Sequence, residues 1–177
     1  MNSFSTMTLF SSINNETGNN TIKTHYLYPA ALFAERTPHL VNTILGSCVA
    51  VCLFDTIIKI GGINHFMLPL WNGQGLASPK YGNIAIEKLI NKLMNYGCST
   101  NNMIAKVFGG GEVIETSSVK SFNIGERNIE LAIEMLKENK IRVASQSVGG
   151  KFGRKIQFNT GTGEVKHKFI EKAQNIN

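Results

Sequence analysis

The sequence predicts an α/β domain of the α+β type, in which helices flank a mostly antiparallel or mixed β-sheet. Several short stretches alternate apolar and polar residues with a period near two, which is typical of strands, and two longer stretches have the apolar spacing of a helix. The chain has 177 residues, of which 42% are apolar. A single domain of that size and composition can bury a core without disulfide bonds.

Polar composition sets the predicted ends of the domain. Residues 1–24 are rich in Asn, Ser and Thr, which indicates a flexible N-terminal segment. The globular domain is predicted over residues 25–170, and residues 171–177 form a short C-terminal tail. The first predicted element of the domain is a strand and turn over residues 26–34.

Two adjacent stretches predict a β-hairpin. Residues 40–55 and 59–68 are largely apolar, and a short polar break separates them. A tight turn centred just after Thr56 would place Cys48 directly opposite His65. Residues that face each other in this way share one side of the sheet, with Cβ atoms about 5 Å apart. A thiol and an imidazole so placed are the minimum that a cysteine nucleophile with its base requires.

Two helices and four more strands complete the predicted order. Residues 84–96 and 129–138 each carry an apolar stripe along one side of a helix, and Asn128 is a candidate cap for the second. The remaining strands are predicted over short stretches bounded by turn residues: 104–108, 141–148, 155–159 and 164–169. The helices thus lie among β-rich segments, and this order predicts the mixed architecture.

Charge and cysteine content argue against several classes of protein. The net charge is +6, but the basic residues do not form one long run, so the charge does not indicate a nucleic acid partner. Three cysteines without framework or metal-site spacing favour a reducing compartment over a disulfide scaffold or a zinc site. We find neither a signal peptide nor an apolar run of about 18 residues for membrane insertion, and we expect a cytoplasmic protein.

Cys48 is the strongest candidate nucleophile, although a buried structural role is also compatible with its apolar surroundings. Cys52 lies on the same predicted strand with the same parity. Cys48 is favoured because residues 46–47 precede it, where glycine allows close approach of a substrate and free N–H groups can bind an oxyanion. It also lies at the start of the strand, near solvent, whereas Cys52 is predicted near the turn, opposite Gly61.

His65 and Thr43 are the candidate partners of that thiol. A lone histidine in an apolar run is more often a hydrogen-bonded structural residue, but the predicted register with Cys48 favours a base. The hydroxyl of Thr43 would orient the imidazole or bind substrate. A β-branched strand residue with neither role is the alternative.

The glycine and basic clusters give weaker signals. Residues 109–111 are three glycines after a strand, but they match neither the dinucleotide-binding nor the phosphate-loop pattern. Tight turns and close backbone approach explain them. Lys151, Arg154 and Lys155 form a basic turn, which is either a solvated hairpin tip or a contact for an acidic partner.

Six ordered motifs resemble the CheD family of chemoreceptor glutamine deamidases. The resemblance runs from about residue 26 to residue 165. It rests on LGSCVAVC at 45–52, GINHFMLP at 62–69, KYGN at 80–83, AKVFGGG at 105–111, IGERN at 124–128 and GGKFGRK at 149–155. Six motifs in order are more specific than one cysteine signature. Asn83 stands where the family pattern has an acid, and the N-terminal segment is longer than usual.

The resemblance implies a CheD-like layered sandwich related to the catalytic domain of cytotoxic necrotizing factor, with residues 25–170 as the catalytic domain. It implies hydrolytic deamidation of specific glutamines on the cytoplasmic helical region of chemoreceptors, the methyl-accepting chemotaxis proteins. Cys48 would be the nucleophile and His65 the general base. The family's third residue, a threonine just upstream of the cysteine, would be Thr43, with the adjacent Asn42 as the other position. No metal or organic cofactor is implied.

The resemblance also bears on partners. A chemoreceptor is the expected protein substrate, and some family members bind a regulatory CheC phosphatase or also hydrolyse glutamate methyl esters. Neither nucleic acid nor a membrane is expected as a partner. One alternative is a non-catalytic binding module acting through a CheC-type phosphatase, against which the presence of Cys48 and His65 counts. The other is a cysteine hydrolase of a different class, such as a peptidase or thioesterase.

Overall fold

A computed structural model describes residues 21–112 and 123–170. Over these residues the chain forms two mixed sheets and two α-helices. Both helices pack on one side of the larger sheet, and the smaller sheet packs on its other side, so the layers run sheet, sheet, helices. The predicted α+β architecture, with helices flanking mixed sheets, is confirmed.

The strands in chain order are β1 (Lys23–Tyr26), β2 (Ala31–Ala34), β3 (His39–Leu45), β4 (Val49–Asp55), β5 (Gly61–His65), β6 (Met103–Gly109), β7 (Arg142–Val148), β8 (Gly153–Asn159) and β9 (Val165–Ile170). The helices are α1 (Gly82–Asn95) and α2 (Ile124–Glu138). The smaller sheet has the order β1-β3-β8-β9 and the larger sheet the order β2-β5-β4-β6-β7. The β1–β3 and β6–β7 pairs are parallel, and the other strand pairs are antiparallel.

Strand β4 lies at the centre of the molecule and contributes to two apolar cores. Its residues Ala50 and Cys52 belong to the core between the two sheets. Val49 and Val51, with the opposite parity, belong to the core between the larger sheet and the helices. Every residue of β4 is buried. A strand covered on both sides is expected to be apolar throughout rather than alternating, which explains its sequence.

The predicted strand over residues 40–55 is two strands in different sheets. β3 ends at Leu45 and β4 begins at Val49, so residues 46–48 carry the chain from the smaller sheet to the larger one. Periodicity does not reveal this break, because apolar and small residues continue across it. As a result, Cys48 lies in a crossover loop between two layers rather than within a hairpin strand.

Strands β4 and β5 form the predicted antiparallel pair, but in a different register. Cys52 faces Ile63 rather than Gly61, and the same register sets Cys48 two positions away from His65. The prediction that Cys48 lies directly opposite His65 is therefore wrong. Because a shift of two residues returns each side chain to its original side of the sheet, Cys48 and His65 still share one side.

The connection between β4 and β5 explains the shift in register. The side chain of the buried Asp55 accepts hydrogen bonds from the N–H groups of Ile57 and Ile58, each at 2.9 Å. Lys59 then adopts a left-handed conformation with φ of 62°, and β5 starts only at Gly61. The loop is thus longer than the tight turn that the polar break predicts, because a buried carboxylate stabilises it.

Both predicted helices are present, but the second one starts differently. α1 coincides closely with residues 84–96, whereas α2 begins five residues earlier than predicted. The cap of α2 is Asn123, whose side-chain oxygen accepts a hydrogen bond from the Glu126 N–H at 3.1 Å. The predicted cap, Asn128, lies inside the helix. Gly125 makes the earlier start possible, since a Cβ there would collide with the backbone of the loop after β6.

The predicted domain ends lie only partly within the described residues. β1 begins at Lys23, inside the predicted flexible segment of residues 1–24. Residues 1–20 and the predicted tail, residues 171–177, lie outside the described part of the chain. Neither α-helix in residues 21–112 and 123–170 is long and apolar enough to cross a membrane.

Candidate active site

Hydrogen bonds to its three carbonyl groups hold the loop over residues 46–48. Backbone N–H groups of Gly111 and Gly110 donate to the first and third carbonyls, each at 2.8 Å. The side chain of Asn128 donates to the second carbonyl at 3.1 Å. Because the N–H of a trans peptide points opposite to its C=O, these contacts turn the N–H groups of the second and third loop residues away from the donors.

The glycines after β6 make this contact possible. Gly109 has φ of 108°, and a Cβ on it would collide with the carbonyl oxygen of Cys48. Gly110 has φ of 68°, and a Cβ there would overlap the side chain of Ile129. Positive φ and tight packing both favour glycine. The prediction that close backbone approach explains this cluster is confirmed.

His65 ends β5 and is only 1% exposed. Its Nδ1 lies 2.8 Å from the Oγ1 of Thr43, and that hydroxyl donates to the Leu27 carbonyl, also at 2.8 Å. A hydroxyl has one hydrogen to donate, so Oγ1 accepts from the Nδ1–H of His65. The ring is thereby fixed as the tautomer whose Nε2 carries a lone pair. Among the described residues, Nε2 has no hydrogen-bond partner.

Thr43 and its neighbour Asn42 point to opposite sides of β3. Thr43 is buried between the sheets, where it contacts the His65 ring. Asn42 is half-buried and accepts a hydrogen bond from Gln157 at 3.0 Å through its side chain, on the outer side of the smaller sheet. Of the two positions that the sequence left open, only Thr43 therefore reaches the imidazole.

Cys48 and His65 both lie on the side of the larger sheet that faces the smaller sheet. Cys48 packs against the same core as Ala50. Because Val49 pairs with Phe66, Cys48 and His65 are diagonal neighbours. The Cβ atoms of such pairs are typically about 7 Å apart, within reach of a long side chain. The two side chains therefore share one side of the sheet as a diagonal pair, and contact between the thiol and the imidazole stays a prediction.

The three cysteines differ in access. Cys48 is half-buried, whereas Cys52 and Cys98 are buried. Cys52 lies in the core between the sheets, and burial raises the pKa of its thiol far above the ordinary range. Cys98 lies in the core on the helix side. Only Cys48 therefore offers a thiol that a substrate can reach. This difference in exposure distinguishes Cys48 from Cys52 more clearly than their positions in the sequence do.

Burial shifts both groups of the pair towards their neutral forms. It raises the pKa of the Cys48 thiol, and a hydrogen bond from the residue's own backbone offsets part of this rise. It lowers the pKa of His65 to about 4, against a smaller opposing effect of the Leu27 carbonyl. A thiol with a raised pKa and an imidazole with a lowered one are both uncharged at neutral pH.

Asn128 is a site residue that the sequence reasoning missed. It is fully buried on α2, and its side-chain N–H groups reach the carbonyls of Ser47 and Met67 at 3.1 and 3.0 Å. These two carbonyls belong to the residue before Cys48 and to the second residue after His65. One amide therefore joins the loop that carries Cys48 to the segment that follows His65. The IGERN motif contained the signal, but a capping role was assigned to it.

Arg154 is the second residue whose environment differs from the prediction. It is buried rather than part of a solvated turn, and it donates to the Ser147 hydroxyl at 3.0 Å and to the Gly149 carbonyl at 2.7 Å. Lys151 and Lys155 are exposed. Alternation along β8 explains the difference, because Arg154 and Lys155 point to opposite sides of the strand.

Asn83, where the family pattern has an acid, accepts a hydrogen bond from the Trp71 N–H at 3.0 Å. A carboxylate oxygen would accept the same bond, so the substitution preserves this contact. As for metals, residues 21–112 and 123–170 contain no cluster of three or more His, Cys, Asp or Glu side chains suited to an ion.

Known proteins share this sequence over most of its length. The family model described as CheD chemotactic sensory transduction matches residues 67–169. A Sulfurimonas denitrificans protein called "Probable chemoreceptor glutamine deamidase CheD" is 44% identical over 149 residues, covering 84% of this chain and 96% of that protein. A Trichlorobacter lovleyi protein of the same name is 50% identical over 144 residues, covering 81% of this chain and 89% of its own. The chain therefore belongs to the CheD family.

Proposed function

We propose that this protein hydrolyses the side-chain amides of selected chemoreceptor glutamines, giving glutamate and ammonia. The names of its relatives support this substrate and this reaction. The observation that carries the proposal is the 2.8 Å hydrogen bond between Thr43 Oγ1 and His65 Nδ1. It leaves Nε2 of a neutral imidazole free on the side of the sheet that also carries Cys48, as a cysteine hydrolase requires.

In the first step, the sulfur of Cys48 attacks the carboxamide carbon while Nε2 of His65 removes the thiol proton. A C–S bond forms, and the carbonyl electron pair moves onto oxygen. The N–H groups of Ser47 and Cys48 point away from the donors that hold their loop, and we assign them to this oxyanion. One such donor typically lowers the barrier by about 3 kcal/mol.

In the second step, the C–N bond breaks and the imidazolium of His65 gives its proton to the departing ammonia. A thioester on Cys48 remains. Water then loses a proton to the same Nε2 and attacks the thioester carbon, the C–S bond breaks, and the sulfur recovers a proton from the ring. The substrate leaves as glutamate. All proton transfers pass through one nitrogen atom, which is why its lone pair must be kept free.

Thr43 is a positioning residue in this scheme, so Thr43→Val should lower kcat roughly 10- to 100-fold with little change in KM. Valine keeps the branched shape and the strand propensity, but it removes the acceptor that fixes the Nδ1–H tautomer. Steady-state ammonia release would measure both constants, and Thr43→Ser should recover much of the loss. A Thr43→Val enzyme with wild-type kcat would leave Thr43 with only the structural role of a β-branched strand residue.

The neutral resting pair predicts how alkylation of Cys48 depends on pH. Because only the thiolate reacts, and the pKa of Cys48 lies above its ordinary value, the rate with iodoacetamide should rise about tenfold per pH unit through the neutral range. Peptide mass spectrometry would follow the label, with the buried Cys52 as internal control. A fast, pH-independent rate in mildly acidic solution would instead indicate a thiolate–imidazolium pair.

Incubation with a chemoreceptor cytoplasmic fragment that carries glutamines at its modification positions tests the function itself. We expect one ammonia for each modified glutamine, and a mass increase of about one dalton per site as OH replaces NH₂. Peptide-bond cleavage would favour a peptidase. A fragment that binds without any mass change would favour the non-catalytic module.

Two further predictions belong to this proposal. A CheC-type phosphatase partner is expected to bind the purified chain in a pull-down with and without the receptor fragment. A cytoplasmic location follows from a substrate region that is itself cytoplasmic, and fractionation of cells that express the tagged chain would check it.

A further inference from the structure

The outer side of the smaller sheet carries three exposed lysines on its last two strands. Lys155 on β8 lies directly opposite Lys168 on β9. Lys166 lies opposite Gln157, which is the next pair on the same side of the sheet. All three lysines are exposed. The residues that alternate with them on β8, such as Ile156, are buried between the sheets. We call this surface of Lys155, Lys166 and Lys168 the lysine face.

The charges of the lysine face are not compensated within the described chain. Like charges directly opposite each other on a sheet are destabilising, yet Lys155 and Lys168 are such a pair. In residues 21–112 and 123–170, none of the three lysines forms an ion pair with a carboxylate. Among the described residues, the acid nearest to β9 in sequence is Glu164, which precedes the strand and lies beyond Lys166, at the end far from Lys155.

The helix layer on the other side of the molecule carries a row of acids among charges of both signs. Four glutamates of α2 are exposed and spaced four residues apart: Glu126, Glu130, Glu134 and Glu138. The two helices also carry four basic residues: Lys88, Lys92, Arg127 and Lys137. α2 packs on the larger sheet, so the helix layer and the lysine face lie on the two outer sides. Because the lysine face holds charges of one sign, it attracts an acidic partner more strongly than the mixed helix layer does.

The lysine face reaches the end of the smaller sheet at which β3 leads into the loop of Cys48. Lys155 is the register partner of Ile44, the last residue but one of β3. Ile44 is 48% exposed, and Ile170, two residues after Lys168 on the same side of β9, is 38% exposed. The outer surface at this end of the sheet therefore combines cationic and apolar side chains, which suits a segment with both acidic and apolar residues.

In the part of the chain that the structure describes, the lysine face has no carboxylate partner. A segment with acidic side chains complements such a surface. The position of this face at the end of the sheet next to the loop of Cys48 favours a segment of the molecule on which the enzyme acts.

We propose that the lysine face binds an acidic, amphipathic segment of the protein substrate and holds it while a neighbouring glutamine enters the site at Cys48. This inference rests on the proposed function for the identity of the substrate. In this arrangement the repulsion between the opposed Lys155 and Lys168 is relieved, because acidic side chains lie over them.

The test is the double variant Lys155→Gln/Lys168→Gln, measured against a matched control, Lys88→Gln/Lys137→Gln, which removes the same charge from exposed lysines of the helix layer. Binding of a chemoreceptor cytoplasmic fragment at low salt should weaken roughly tenfold in the double variant and about twofold or less in the control. In active enzyme the loss should appear in KM, with kcat kept. High salt should remove the difference.

The double variant should fold at least as well as the parent, because it removes a repulsive pair, and a thermal melt checks this. Equal losses in both variants would mean that net charge alone matters and would overturn the proposal, as would unchanged binding. Preferential binding of the parent to vesicles of phosphatidylglycerol and phosphatidylcholine over the receptor fragment would assign the face to lipid instead. Absence of ammonia release by the parent would refute the proposed function separately, while the binding data still decide this inference.

Discussion

Cys48→Ala should reduce ammonia release from a glutamine-bearing receptor fragment by roughly 10⁴-fold or more. In the proposed mechanism this thiol forms the covalent bond on which the reaction depends, and no other thiol of the chain is accessible, since Cys52 and Cys98 are both buried. Only the slow attack of water, aided by the remaining binding groups, would persist. The measurement is single-turnover ammonia release at saturating enzyme, which separates loss of chemistry from loss of binding.

Cys98→Ala and Cys52→Ala are the controls for that experiment. Both remove one sulfur atom from an apolar core, so they cost some stability but leave the reactive groups in place. Each should retain most of the rate once the folded fraction has been matched by circular dichroism. A loss from Cys52→Ala as large as that from Cys48→Ala would show that the wrong thiol has been assigned.

His65→Ala should lower the rate by roughly 10²- to 10⁴-fold, the usual contribution of a general acid–base group. The variant removes the Nε2 lone pair, which has no hydrogen-bond partner among the described residues and which the proposed mechanism uses as the base. The effect should fall on kcat. In addition, iodoacetamide should still label Cys48, because alkylation uses the small thiolate fraction that the thiol pKa sets and needs no proton relay.

A second buried histidine provides the matched control. His39 is 6% exposed, and its ring contacts the Thr37 carbonyl at 2.9 Å. It begins β3, whereas the loop of Cys48 follows the other end of that strand. His39→Ala should keep the catalytic rate, although it disturbs packing to a similar degree. Near-wild-type turnover in His65→Ala would remove that residue from the mechanism and would direct attention to a water or a backbone group as the base.

The candidate site draws its parts from all three layers of the fold. Thr43 comes from the smaller sheet and His65 from the larger one, Cys48 lies on the loop between them, and Asn128 reaches this loop from the helix layer. Such a site depends on packing between layers. Substitutions in either core are therefore expected to affect activity through the geometry of the site as well as through stability.

Local pattern was sufficient to identify both helices and most of the strands. α1 and β6 were found almost residue for residue because apolar periodicity and the flanking turn residues agree there. The start of α2 was not found, because it depends on Gly125 fitting against a distant loop. The long strand before Asp55 was not divided, because the change of sheet after Leu45 leaves no mark in the apolar pattern.

The pairing of Cys48 with His65 shows that apolar periodicity predicts the side of a sheet but not the register of two strands. The strand period of two determines which side of the sheet a residue occupies, so the shared side was predicted correctly despite a register error of two residues. The register itself was set by the hydrogen bonds of Asp55 in the connecting loop, which are tertiary details. Likewise, the choice between Thr43 and Asn42 needed the side of β3 that faces His65.

By itself, the sequence determined the layered α+β class, the family, and the short set of polar side chains from which a nucleophile and a base can be chosen. These follow from residue type and from periodicity, which are local properties. Only the tertiary structure decided that the ring of His65 is held by Thr43, that Asn128 fastens the loop of Cys48, and that lysines gather on one outer surface. Contacts of this kind join residues far apart in the chain, and their formation depends on how the layers pack.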